Sequence, residues 1–124
     1  MDGPASTFKN RPFRVRLGFA AAGIRTVAAR EKSFRTQLAS AAVAAMAAAW
    51  FRPGWIWCGL LLLAAVLVLA LEMVNAALEY ALDALHPQHA LEIGRAKDAA
   101  AGAVLIASGG AAGIAALMAA SLLF

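Results

Sequence analysis

The chain has 124 residues, of which 63% are hydrophobic and 15% charged, whereas a soluble domain is about half apolar and a quarter charged. A single domain of this size buries too little of its chain to hide that much apolar surface, which excludes a soluble enzyme and a disordered tail together. The one cysteine, Cys58, cannot close an intrachain disulfide and has no Cys or His at metal-ligand spacing, so an integral membrane chain is the class that remains.

The head of the chain is basic. Residues 1–35 carry eight Lys or Arg side chains against Asp2 and Glu31, a net +6, while residues 36–124 carry a net −2. No nucleic-acid fold or interleaved aromatic motif accompanies the basic residues, so no nucleic-acid partner is expected. A segment lying on an anionic inner leaflet is expected instead. Residues 1–12 read as an N-terminal tail. Residues 13–35 read as an amphipathic surface helix, since Phe13, Leu17, Ile24, Val27 and Phe34 recur at near-helical spacing while Arg14, Arg16, Arg25 and Arg30 fall mostly elsewhere.

Residues 36–124 read as a three-span transmembrane domain, with spans at about 36–51, 54–83 and 98–123. The second and third contain the roughly 20 mainly apolar residues that a crossing needs. The first is short and rich in Ala, which suits close packing against protein. A cleaved leader competes for that first stretch, but its uncharged run begins only at Thr36, deeper than a leader's apolar region sits. Arg52-Pro53-Gly54 forms the turn between the first two spans, and Trp50, Trp55 and Trp57 cluster there as interfacial aromatics. The basic flanks place the N-terminus in the cytoplasm, the Arg52 turn outside, and Arg95 and Lys97 inside. In the third span, Gly109 and Gly113 form a G-x-x-x-G step that is read as a close helix contact.

The second span does not end cleanly at Leu71. Its helical pattern continues through Glu72, Asn75, Glu79 and Asp83. At 100° per residue the three carboxylates fall within roughly 40° of one another, with Asn75 about 60° to one side. Ionisable groups at membrane depth are costly and point to function. Carboxylates stacked on one face repel unless a cation shares the site, and Mg²⁺ binds through one or two carboxylates plus substrate phosphates. Glu31 is the other acid near this interface, so Glu31 and Glu79 are candidate metal ligands and Glu72 a candidate base. Lys97 and Asp98 open the third span on the same side, a point charge for phosphate and an acceptor. The chain has no phosphate-binding loop of the Walker type and no Gly-rich dinucleotide loop, so a nucleotide would be held by helix side chains.

Three spaced motifs carry a resemblance: Glu31-x-x-Phe34-Arg35, then Glu72-x-x-Asn75-x-x-x-Glu79-x-x-x-Asp83, then Gly94-Arg95-Ala96-Lys97-Asp98 followed by Gly102-Ala-Val-Leu105. In their order and offsets, over residues 18–118, the chain resembles the small prokaryotic diacylglycerol kinases and their relatives the undecaprenol kinases. The resemblance implies an all-α integral membrane fold of three transmembrane helices plus an N-terminal amphipathic surface helix, assembled as a homotrimer with sites shared between subunits. It implies a multi-pass protein of the bacterial inner membrane that transfers the ATP γ-phosphate to the hydroxyl of diacylglycerol, giving phosphatidic acid, with Mg²⁺ as cofactor. Undecaprenol is the alternative acceptor.

Residue by residue, the resemblance makes Glu72 the general base, which also meets the lipid, and Glu31 and Glu79 the metal and ATP carboxylates. Phe19, Asn75, Lys97 and Asp98 match positions around the nucleotide, as do Gln88, His89 and Ala90. Gly23, Ile24, Arg25 and Thr26 match lipid-facing positions, and so do Ser33, Phe34, Arg35, Thr36 and Gln37. The chain departs from the pattern at Phe19, where many members carry Tyr, at Gln37, where Glu is common, and at Pro12, where an Arg is found. The run from Lys97 to Leu105 looks closer to the undecaprenol branch, and Gly94-Arg95-Ala96 closer to the diacylglycerol branch. The rival reading from another class is a non-enzymatic three-span membrane subunit, which would not need acids on one helix face opposite Lys97-Asp98.

Overall fold

The computed structural model describes residues 10–124, so most of the expected tail lies outside the described residues. The described chain is helical: α1 (Phe13–Arg30), α2 (Lys32–Phe51), α3 (Trp55–Leu85) and α4 (Leu91–Leu123). Pro12 starts α1, its carbonyl accepting the amides of Val15 and Arg16 at 3.0 and 3.1 Å.

The surface helix stops at Arg30, five residues before the boundary that periodicity suggested. Glu31 has extended backbone (φ −107°, ψ 110°) and donates its amide to the Val27 carbonyl at 2.8 Å. Arg35 then reaches back from α2, its guanidinium donating to the carbonyls of Ala28 and Ala29 at 2.9 and 3.0 Å. Those are terminal carbonyls that α1 leaves without helical partners. The break escaped the apolar pattern because Val27 and Phe34, on either side of it, bury into the same cluster with Ala76.

α2 ends at Arg52, whose left-handed backbone (φ 49°) lets its amide reach the Ala48 carbonyl at 3.0 Å. Gly54 follows at φ +111°, a conformation that a side chain would strain. Trp55 stands 93% exposed beside this turn.

Two helices, α3 and α4, are long and apolar enough to cross a membrane. The 20-residue α2 is not among them: Ala is weakly hydrophobic, and Lys32 and Arg35 occupy its first turn. At 1.5 Å per residue α3 is about 46 Å long against a hydrocarbon core of about 30 Å, so it must project beyond the apolar layer. α4 begins at Leu91, seven residues before the expected boundary.

α3 is the central element, packed most extensively on α4 and also against α2 and α1. Its buried residues are Ala64, Val68, Glu72 and Ala76, a row spaced by four. Such a row forms a ridge that fits between neighbouring helices. Glu72 therefore occupies a packing position in an otherwise apolar seam.

The glycine step in α4 is not part of that seam. A methyl group added at Gly109 or Gly113 would meet nothing within 4 Å, so these glycines do not mediate a close contact within the chain. The buried residues of α4 are Val104 and Met118 instead.

Candidate active site

Glu72 is 4% exposed, the only buried charged residue among those described. Burying a carboxylate is costly unless hydrogen bonds compensate. One does: the Ser33 hydroxyl donates to Glu72 Oε2 at 3.0 Å. Ser33 lies in the first turn of α2, directly after the break, so the bend at Glu31 carries it to α3. A pocket of about 300 Å³ opens beside this pair, lined by Ser33, Gln37, Glu72, Asn75 and Ser108 together with Ala101, Val104 and Leu105. Gln37 Nε2 donates to the Ser108 hydroxyl at 2.9 Å, tying α2 to α4 across it. Asn75 Oδ1 is buried and accepts no hydrogen bond from the described residues. A buried acceptor without a donor is destabilising unless something supplies one.

Further toward the polar end of α3, two more links attach the neighbouring elements. On one flank the Tyr80 hydroxyl donates to Glu31 Oε1 at 2.7 Å, with the Arg30 guanidinium 5.0 Å over the phenol ring. On the other, the Lys97 ammonium of α4 bonds Asp83 Oδ1 at 2.5 Å and lies in the field of Glu79 one turn earlier. Tyr80 sits about 100° around the helix from Glu79. The Tyr80 phenol thus lies in the field of both Glu31 and Glu79, and Glu72 sits about two turns deeper along α3.

Among the described residues, no three His, Cys, Asp or Glu side chains converge as a metal cage. The donor set suits Mg²⁺ in another way. Hard carboxylate oxygens in ones and twos are what this ion takes when it also keeps waters and substrate phosphates.

The other expected site residues fall into three groups. Gln88 and His89 are exposed in the loop between α3 and α4, where Gln88's carbonyl lies 3.2 Å from His86 Nδ1, and Ala90 is the residue preceding α4. Asp98 is exposed on α4, one residue past Lys97. On α1, Phe19, Ile24 and Arg25 are exposed and Gly23 half-buried, while Thr26 donates its hydroxyl to the Ala22 carbonyl. These α1 residues lie apart from the Glu72 pocket lining.

In α2, Thr36 is exposed and its carbonyl accepts the Ser40 hydroxyl, whereas Gln37 lines the pocket. Two further positions matched as lipid contacts also serve the fold. Phe34 is 5% exposed in the core with Val27 and Ala76, and Arg35 is engaged in capping α1. Their place beside the catalytic candidates reflects the α1–α2 junction, which must be built before Ser33 can reach Glu72.

The sequence profile described as prokaryotic diacylglycerol kinase matches residues 18–119, most of the chain. The chain belongs to the prokaryotic diacylglycerol kinase family. Family membership makes it a membrane lipid kinase, in keeping with two helices able to cross a bilayer. A direct comparison with curated proteins returned no match. Within this kinase the matched region contains the Glu72 pocket, the Glu31 junction and the Lys97–Asp83 link, and it leaves Phe13–Leu17 of α1 outside.

Two site residues were missed from the sequence. Tyr80 continues the four-residue row of Glu72 and Ala76, a signal that was available. Ser108 is one of two serines in the charge-free part of α4, and its role depends on Gln37, which the sequence places 71 positions away.

Proposed function

We propose that this kinase transfers the ATP γ-phosphate to the hydroxyl of diacylglycerol, giving phosphatidic acid, at the cytoplasmic face of the bacterial inner membrane. The observation that carries the reading is the polar pocket around Glu72. A buried carboxylate with one hydrogen bond is suited to accept a proton from a hydroxyl delivered out of the bilayer. The same pocket offers Ser33, Gln37, Asn75 and Ser108, more hydrogen-bonding groups than a lone alcohol can engage. A glycerol backbone with two esters can engage them, which favours diacylglycerol.

Phosphoryl transfer calls for positioning and charge stabilisation rather than covalent chemistry. Glu31 and Glu79 would hold Mg²⁺ against the nucleotide phosphates, and the ion supplies charge neutralisation there. Lys97, oriented by Asp83, adds a cation on the α4 side, and Asp98 and Asn75 border the nucleotide. The loop Gln88–Ala90 and Phe19 complete the nucleotide surroundings. The assembly is a homotrimer in which α2 is a third span, sheltered by neighbouring subunits rather than facing lipid. The N-terminus lies in the cytoplasm, with α1 on the inner leaflet.

Undecaprenol is the second reading, favoured by the run from Lys97 to Leu105. The test is one assay in detergent micelles with the two acceptors compared at equal mole fraction, following ADP release and the radiolabelled lipid product. Diacylglycerol is expected to give the higher kcat/KM. A preference for undecaprenol would transfer the assignment, and no Mg²⁺-dependent ADP release with either would remove it.

A further inference from the structure

Glu31 stands at a one-residue break between two helices, where neither helix fixes its side chain. Yet its carboxylate is fixed. The Tyr80 hydroxyl donates to Oε1 at 2.7 Å, a short charge-assisted bond. Tyr80 is itself held on both faces of the problem: its ring packs against the cluster of Val27, Phe34 and Ala76, and Arg30 lies 5.0 Å over it. A phenol has few rotatable bonds, so anchoring Glu31 through Tyr80 costs less entropy than anchoring it to a flexible chain. The bond engages Oε1, and among the described residues no hydrogen bond reaches Oε2.

We infer that Tyr80 is a positioning residue for the nucleotide-bound metal: it clamps one oxygen of Glu31 so that the other is presented to the ion. This rests on reading Glu31 as a metal ligand. A ligand held in place before the ion arrives loses less freedom on binding, and the affinity rises accordingly. The role belongs to the hydroxyl and not to the ring, which separates it from simple packing. It also gives the α1–α2 bend a purpose in the reaction, since the bend brings Glu31 to Tyr80 and Ser33 to Glu72 together.

The experiment uses the full chain in detergent micelles, with Mn²⁺ as the probe and a non-hydrolysable ATP analogue, and no lipid acceptor. Free Mn²⁺ is read by electron paramagnetic resonance for the wild type, Tyr80→Phe, Glu31→Gln and the double variant. Tyr80→Phe keeps the ring and is expected to weaken Mn²⁺ binding about tenfold, the low end for a lost hydrogen bond to a charged group. The midpoint of thermal unfolding should fall by no more than the loss of one hydrogen bond, and in a separate turnover assay the KM for the lipid acceptor should not move. In the Glu31→Gln background, Tyr80→Phe should add nothing. If Glu31→Gln weakens Mn²⁺ binding while Tyr80→Phe does not, or if Tyr80→Phe weakens it equally in both backgrounds, the positioning role is overturned and the metal reading stands. If Glu31→Gln itself leaves Mn²⁺ binding unchanged, the metal reading fails and the clamp with it.

Discussion

Replacing Glu72 by Gln tests the base most directly, because the structure separates its chemical from its structural contribution. Gln has nearly the same shape and keeps an oxygen that can accept the Ser33 hydroxyl, so the 3.0 Å bond can survive. What disappears is a negative charge at a position only 4% exposed. Removing an unpaired buried charge is neutral or favourable for folding. The variant should therefore unfold at the wild-type temperature or above it. Activity should go the other way: a positioned general base is worth about 10²- to 10⁴-fold, or roughly 3–5 kcal/mol of barrier. Measured as ADP release in micelles at saturating ATP and lipid, kcat should fall by at least a hundredfold with Mn²⁺ binding intact. Ser33→Ala is the graded companion. It leaves the carboxylate and removes its one hydrogen bond, so kcat should drop about tenfold, the low end for a bond to a charged group. A Glu72→Gln protein that retains more than a tenth of wild-type kcat would refute the base assignment, and with it the reason for a carboxylate in the packing seam.

Two other predictions follow from the same geometry. Glu79→Gln should raise the Mg²⁺ concentration for half-maximal activity several-fold while changing thermal stability little, because Glu79 is only half-buried and Gln keeps its shape; an unchanged Mg²⁺ titration would count against a metal role. Ala76→Leu should destabilise the fold by about 1–3 kcal/mol through overpacking, since Ala76 is 2% exposed against Val27 and Phe34, and the measurement is the unfolding midpoint in mild detergent.

The helical class, the turn at Arg52–Gly54 and the acid-bearing face of α3 were legible in the sequence because each depends on local signals. Charge-free runs mark membrane helices, Pro and Gly mark the turn, and 3.6-residue periodicity gathers Glu72, Glu79 and Asp83. What the sequence did not disclose depends on contacts between distant segments. The break at Glu31 was hidden because apolar residues on both sides of it serve one cluster, so periodicity runs through the bend. Phe34 and Arg35 entered as lipid-facing positions through the resemblance alone, and their places in the core and at the α1 terminus depend on the same junction.

The Gly109–Gly113 step is a local motif whose partner helix does not lie within the chain. Those glycines and the exposed apolar side chains of α3 and α4 face outward, and α2 is too weakly apolar to stand in lipid on its own. A short Ala-rich helix and an outward small-residue step are complementary needs: the first requires a protein wall and the second offers one. Packing α2 of one subunit beside α4 of another would meet both, which is the physical argument for the proposed self-association.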